Sequence, residues 1–120
     1  MLIFSIMNDL SKKKCIPCKG NIPPFNLDEI HKYIKKVDGW NINNNNNKKD
    51  YYLEKKFKFN NFKESQNFIN KVANIAEGEN HHPDMTFGWG YANIKISTHA
   101  INGLAESDFI LAAKIDKILL

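Results

Sequence analysis

Arginine is absent from this 120-residue sequence, so all 17 basic residues are lysines. Bidentate guanidinium contacts to bases and phosphates therefore cannot form. The formal net charge is +4, but lysines such as Lys13, Lys36 and Lys114 are scattered among acidic residues along the chain. This pattern is typical of a solvated basic surface and does not favour a nucleic-acid partner.

Cysteines and long apolar runs are also scarce. Cys15 and Cys18 form a lone CxxC, and no second pair is present to complete a four-ligand zinc site, so we expect two reduced thiols. The apolar run at 1–7 is far shorter than the roughly 20 residues of a membrane span, and it lacks the basic region of a signal peptide. We expect no membrane partner and a cytoplasmic location, with the nucleus as the alternative.

The chain has the length and the 42% hydrophobic content of one compact domain. Residues 1–25 mix charge, cysteine and proline, and they end in Pro23-Pro24, which cannot continue a helix. We therefore predict an N-terminal arm over residues 1–25 and a single domain over residues 26–120.

Two segments combine a helix N-cap with an apolar stripe. Asn26 can cap the first helix, with Glu29 in the capping-box position and Gly39 as its stop. The second helix is predicted over residues 62–77, with Gly78 ending it.

A third helix is predicted from about Glu106 to Leu119. Its apolar residues extend most of the way around the helix, which is more than one sheet face should cover. We therefore expect this helix to pack against another subunit as well, giving a homo-oligomer.

Four segments are predicted as strands. One begins at 40–42, before an asparagine run at 43–47 that favours a surface loop. Another alternates between apolar and polar residues over 51–59. Two more are predicted over 85–89 and 92–98.

The order is therefore α-β-β-α-β-β-α, which predicts an α+β fold with a four-stranded antiparallel sheet and three helices on one face. Lys55 interrupts an apolar strand face, so we expect that strand near an edge. Four strands leave an open edge, and pairing across a two-fold axis is one way to bury it.

Three histidines carry the strongest chemical signal. A hairpin that turns near Gly90-Tyr91 would place His99 opposite Pro83 and His82, with His81 beside them. Imidazoles exchange protons near neutral pH, and a cluster can hold one protonated and one neutral member. We therefore predict one acid/base site that suits an elimination.

Two other interpretations of the histidines stay open. Three imidazoles can hold zinc, with Glu77 or Glu79 nearby, as in a zinc hydrolase. A His-His-Pro tripeptide can also be idle, because adjacent side chains often diverge. His31, on the first predicted helix, is expected to be a surface residue.

A family resemblance rests on Glu77-x-x-x-His81-His82-Pro83, the aromatic Trp89, Thr98-His99, Gly103-Leu104 and Asp108. This pattern resembles the signature of the pterin-4a-carbinolamine dehydratases, whose other role in animals is as a dimerisation cofactor for a transcription factor. The similarity extends from about Cys15 to the C-terminus and includes the Gly39-Trp40 pair. Several residue types at fixed spacing make it specific.

The resemblance implies dehydration of 4a-hydroxytetrahydrobiopterin to the quinonoid dihydropterin, in tetrahydrobiopterin recycling, with no metal or organic cofactor. It implies a homodimer or homotetramer. It also implies that the catalytic residues are His81, His82 and His99, that the pterin is held with Asn80, Ser97, Thr98 and Ala100, and that Glu77 and Asp108 are supports. Trp40 either walls the pocket or lies in the core.

The sequence departs from the family pattern at two positions. Asn80 stands where an aspartate is common, which removes a charge that could raise a neighbouring histidine's pKa. Ala105 stands where a serine often caps the last helix.

A protein-binding dimerisation cofactor that uses Leu111 and Ile115 of the last helix remains an alternative to the enzyme.

Overall fold

The helices and strands follow one another along the chain in the predicted order, with two strands between successive helices. The computed structural model describes residues 9–16, 22–45 and 50–119. The helices are α1 (Leu27–Ile34), α2 (Phe62–Glu79) and α3 (Glu106–Lys117); the strands are β1 (Asn41–Asn44), β2 (Tyr51–Lys58), β3 (Asp84–Gly88) and β4 (Tyr91–Ile96). Short 3-10 turns lie at Leu10–Lys12 and His99–Ile101. No helix within the described ranges is long and apolar enough to cross a membrane.

The four strands form one antiparallel sheet in the order β1-β2-β4-β3, which confirms the predicted α+β class. One face of the sheet is apolar and is covered by the helices; its buried residues are Leu53, Phe57, Ala92, Ile94 and Ile96. Alternate residues such as Glu54 and Lys95 point to the opposite, polar face. The core therefore lies between the sheet and the helical layer, and the other face stays open in the single chain.

Lys55 lies in an interior strand, so the expected edge position is wrong. Its Nζ is 2.9 Å from Oδ1 of Asp116 and donates a 2.6 Å hydrogen bond to the backbone oxygen of Asp38. Trp40, which is buried, donates from Nε1 to both carboxylate oxygens of Asp116 at 3.1 Å. A lysine on the apolar face is tolerated here because its charge is paired.

Both predicted N-caps form. Asn26 accepts from the backbone of Glu29 at 2.9 Å, and the Glu29 side chain accepts from the backbone of Asn26 at 3.0 Å. Asn61 likewise accepts from the backbone of Glu64 at 2.9 Å. Favourable caps at these two positions therefore set where α1 and α2 begin.

Both predicted glycine stops are wrong. Helix α1 ends at Ile34, before Gly39, while α2 continues through Gly78 to Glu79. Asn80 ends α2 instead, in the left-handed conformation with φ of 52°. Asparagine tolerates this conformation better than most residues, and it directs the chain into the histidine segment.

Part of the asparagine run is strand rather than loop. Asn43 and Asn44 pair with Tyr52 and Tyr51 in the β1–β2 ladder, and the Asn43 amide donates to Glu54 at 2.7 Å. Residues 46–49 lie outside the described part of the chain.

The β3–β4 hairpin turns one position earlier than predicted, at Trp89-Gly90, where Gly90 has φ of +80°. Gly88 pairs with Tyr91, and Asp84 pairs with Lys95. His99 therefore does not lie directly opposite Pro83 and His82, and that part of the sequence prediction is wrong.

The same chain covers the apolar surface that we assigned to a subunit contact. Leu10 is buried with the core, and the rings of Phe25 and Tyr33 lie 6.2 Å and 5.4 Å from the ring of Phe109 in α3. Leu111 and Ile115 are fully buried. Most of the apolar surface of α3 is thus covered within one chain, whereas Leu119, just after the helix, is 55% exposed.

Candidate active site

A fully buried carboxylate, that of Asp108, is the centre of the candidate site. Its Oδ1 lies 2.8 Å from Nε2 of His81. Its Oδ2 accepts hydrogen bonds of 2.8 Å from the hydroxyl of Thr98 and from the backbone N–H of Ala105. Asp108 is in the first turn of α3, where the helix dipole favours a negative charge. These contacts hold the carboxylate in one orientation beside His81.

His81 is brought to Asp108 by the chain reversal after α2. Asn80 adopts its left-handed conformation there, and the backbone N–H of His81 donates to the oxygen of Ala76 at 3.1 Å. The imidazole is mostly buried, with 14% of the side chain exposed. With Nε2 engaged by a carboxylate, a neutral ring keeps its proton on Nε2 and presents Nδ1 as a proton acceptor.

His82 makes a separate and more exposed pair with Glu77. Its Nε2 lies 2.8 Å from Oε1 of Glu77, which is on the last turn of α2. Both side chains are more than half exposed, so solvent weakens this contact and its contribution to stability is small. The pair orients the His82 ring near the same end of the sheet as His81.

His99 begins the 3-10 turn after β4 and is exposed. It lines a cavity of about 200 Å³ together with Tyr52, Asp84, Lys95 and Ser97. Lys95 and Tyr52 belong to the polar face of the sheet, so this cavity opens on that face. We name it the open-face cavity.

His81 lines a different cavity, of about 230 Å³, with Asn80, Thr98 and Ser107 among its other lining residues. We name it the helix-side cavity, because α3 and the end of α2 form it. Thr98 lines the helix-side cavity, whereas its neighbours Ser97 and His99 line the open-face cavity. The structure thus brings the three histidines to one end of the sheet but places His81 and His99 in cavities on opposite sides of the chain after β4.

The other predicted site residues divide among these places. Asn80 lines the helix-side cavity, and Ala100 is exposed in the 3-10 turn after β4. Glu77 and Asp108 each contact one histidine. Trp40 lines neither cavity and lies in the core.

Three lining residues of the helix-side cavity were not predicted from the sequence, namely Cys15, Ile16 and Ser107. Cys15 and Ile16 lie in the predicted arm, where no periodic pattern indicated packing. Glu79 also lines this cavity, although we had considered it only as a zinc ligand. Within the described residues, no group of three or more His, Cys, Asp or Glu side chains is arranged to hold a metal ion.

Buried polar contacts shift the pKa of two groups beside the helix-side cavity. The backbone N–H of Cys15 donates to Glu79 at 2.8 Å, and this bond, together with nearby Lys114, holds the pKa of the Glu79 carboxyl below its usual value. Burial, and secondly the Glu79 charge, raise the pKa of the Cys15 thiol to about 12. Cys15 is therefore a neutral thiol near pH 7.

Comparison with known proteins gives a consistent result. The family model described as pterin 4 alpha carbinolamine dehydratase matches residues 23–118. A protein of Rubrobacter xylanophilus, provisionally named pterin-4-alpha-carbinolamine dehydratase, is 43% identical over 93% of this chain and all of its own length. A protein of Rickettsia canadensis with the same provisional name is 49% identical over 92% of this chain and 97% of its own.

Two solved structures are also similar. A transcriptional coactivator/pterin dehydratase from Brucella melitensis is 25% identical with a TM-score of 0.71, covering 79% of this chain and 97% of its own. A pterin dehydratase-like protein described as a RuBisCO assembly factor in the alpha-carboxysome has a TM-score of 0.56 at 25% identity, covering 67% of this chain and 88% of its own.

Proposed function

The chain belongs to the pterin 4 alpha carbinolamine dehydratase family, and from this premise we propose that it dehydrates 4a-hydroxytetrahydrobiopterin to the quinonoid dihydropterin. The reaction removes the 4a-hydroxyl as water and takes a proton from the adjacent ring nitrogen, so no electrons are exchanged with a cofactor. One group must protonate the leaving hydroxyl, and another must accept the ring proton. In this proposal histidine side chains perform both transfers.

The contact between His81 and Asp108 is the observation that carries the proposal. A buried carboxylate 2.8 Å from an imidazole nitrogen stabilises the protonated ring at the moment of transfer. His81 is therefore suited to take up a proton and return it. We propose that His82 and His99 supply the second transfer, and that Glu77 and Asp108 position the imidazoles they contact.

The position of His99 constrains how the substrate lies. His81 and His99 line cavities on the two sides of the chain that follows β4. A ligand that reaches both must lie across Ser97 to His99 at that end of the sheet. We therefore propose that backbone groups of residues 97–100, with Asn80, hold the edge of the pterin ring.

The central test is the rate of dehydration by three alanine variants. We expect His81→Ala and His99→Ala to lower kcat by about a hundredfold or more, as for loss of a general acid or base, and His82→Ala to lower it less. His31→Ala, in an exposed histidine of α1, is the matched control and should keep full activity. Circular dichroism checks that each variant stays folded. Full activity in both His81→Ala and His99→Ala would overturn the proposal.

The two alternative hypotheses have less support. A partner-binding role through Leu111 and Ile115 conflicts with the complete burial of both side chains within one chain. A zinc hydrolase would need three ligands turned towards one point, whereas His81 and His82 each contact a separate carboxylate. Neither is therefore proposed. We propose a homo-oligomer only through the open edges of the sheet.

A further inference from the structure

Residues 9–16, which we name the arm segment, pack on α3 rather than standing apart from it. Leu10 is buried in the core. Lys114 donates to the backbone oxygen of Ser11 at 2.9 Å, and Lys117 lies 3.4 Å from the carboxylate of Asp9. The arm segment is therefore anchored upstream of the point where it reaches the helix-side cavity.

Hydrogen bonds to Ser107 and Glu79 fix the end of the arm segment, among them one from the Cys15 thiol to the backbone oxygen of Ser107 at 3.4 Å. Ser107 accepts from the backbone N–H of Ile16 at 3.0 Å, and its hydroxyl donates to the backbone oxygen of Ile16 at 3.1 Å. The backbone N–H of Cys15 donates to Glu79 at 2.8 Å. These bonds join Cys15 and Ile16 to α3 and to the end of α2, the two elements that carry Asp108 and lead into His81.

Ile16 combines a fixed backbone with an exposed apolar side chain. Its N–H and its oxygen are both hydrogen-bonded to Ser107. It lines the helix-side cavity with His81 and Thr98, yet 73% of the residue is exposed. A ligand that covers a large exposed apolar side chain removes its surface from water, and this burial favours binding of the ligand. A flat bicyclic ring that reaches His81 would provide such a cover.

We propose that the arm segment forms a wall of the substrate site, in which Ile16 packs on the flat face of the pterin ring and Ser107 positions Ile16. This inference rests on the proposed function, because it names the ligand of the same site. The arm segment, which precedes the matched residues 23–118, would thus contribute to substrate affinity rather than to proton transfer.

The test compares two isoleucine variants by their affinity for dihydrobiopterin, measured by calorimetry, and by KM and kcat for dehydration. We expect Ile16→Ala to raise Kd and KM about tenfold and to leave kcat unchanged. A tenfold change corresponds to losing roughly half of the free energy that burial of a whole isoleucine side chain provides. Ile22→Ala is the matched control, since Ile22 is 54% exposed and lines neither cavity. Ile16→Leu should restore the wild-type Kd. The midpoint of urea unfolding should be equal in all of them.

Ser107→Ala separates positioning from folding. This variant loses both hydrogen bonds to Ile16, so its Kd should rise, as in Ile16→Ala. The rise should remain when Kd is calculated for the folded fraction of the protein alone. Ser107→Thr keeps the hydroxyl and should recover part of the affinity.

The outcomes distinguish this wall from the enzymatic activity. Equal Kd values in Ile16→Ala and Ile22→Ala would overturn the wall, whatever the rate of dehydration. A wild-type protein that binds dihydrobiopterin but does not dehydrate its hydroxylated precursor would overturn the proposed function alone, and the two Kd values would still decide the wall. A wild-type protein that neither binds dihydrobiopterin nor dehydrates its hydroxylated precursor would overturn both.

Discussion

Nε2 of His81 lies 2.8 Å from Oδ1 of Asp108, and this contact joins the turn after α2 to the first turn of α3. Asp108 also holds Thr98 and the backbone of Ala105. One buried carboxylate therefore stabilises the fold and orients a histidine of the candidate site.

We expect Asp108→Asn to damage both stability and activity. The carboxylate offers two oxygen atoms to its partners, whereas an amide offers one oxygen and one NH₂ group. The NH₂ group would therefore face the donors Thr98 and Ala105 or displace the ring of His81. The free energy of unfolding should fall by about 2–4 kcal/mol, as for a broken buried network, and kcat by roughly tenfold to a hundredfold. Urea unfolding and steady-state kinetics measure the two effects.

The tautomer of His81 distinguishes orientation from general damage. In the wild type, neutral His81 should carry its proton on Nε2, which ¹⁵N NMR reports; in Asp108→Asn that preference should weaken. Asp28→Asn, an exposed carboxylate of α1, is the control. An unchanged tautomer together with unchanged kcat would contradict a positioning role for Asp108.

Cys15 should be a slow thiol in the folded protein. Burial raises its pKa to about 12, from a usual value of 9.0, so the thiolate is scarce at pH 8. In a Cys18→Ser variant, iodoacetamide should modify Cys15 about a thousandfold more slowly than an ordinary thiol, which mass spectrometry can follow. In urea the same residue should react at the ordinary rate. Rapid modification of the folded protein would show that Cys15 is not shielded.

The sequence predicted the element order because its local signals were strong. Asn26 and Asn61 each cap a helix, and alternation over 51–59 identified β2. The hairpin register was harder, because Gly88 and Gly90 both fit a turn. In the structure a Cβ on Gly88 would lie 2.6 Å from the ring of Tyr91. Gly88 therefore makes room for a cross-strand neighbour, and only Gly90 turns the chain.

The histidine segment was recognisable from the sequence, whereas the surroundings of His81 were not. No local pattern shows that Ser107 bonds to Ile16, because the two are far apart in the chain and meet only when the arm segment packs on α3. The same packing covers most of the apolar surface of α3, for which we had expected a contact with another subunit. Long-range contacts of an irregular segment leave no periodicity to detect.

Glu79 gives a prediction for acid conditions. Its folded-state pKa is lowered, first by the hydrogen bond from Cys15 and also by Lys114, so the unfolded chain binds a proton more readily. The stabilising effect is complete above the usual glutamate pKa of 4.5 and is lost as the pH falls through the lowered value. The free energy of unfolding of the wild type should therefore decline below about pH 5 more steeply than that of Glu79→Gln.

Glu77→Gln serves as the comparison, because Glu77 is on the same helix and its side chain is 82% exposed. It should follow the wild-type decline closely. If Glu79→Gln and the wild type lose stability in parallel between pH 5 and pH 3, the contact with Cys15 does not stabilise the arm segment.

Ala105→Ser should stabilise the protein, because α3 begins without a side-chain cap. Ala105 has the extended backbone of an N-cap residue, with φ of −139°, and its N–H already donates to Asp108. A serine hydroxyl there could accept from a first-turn N–H and complete the capping box, adding about 1 kcal/mol to the free energy of unfolding in urea. Ala113→Ser makes the same change within α3, where serine lacks a free N–H to cap and should cost about 0.5 kcal/mol. A higher free energy of unfolding in Ala105→Ser and a lower one in Ala113→Ser would show that the gain comes from capping. A lower free energy of unfolding in Ala105→Ser would mean that Asp108 alone already satisfies the start of the helix.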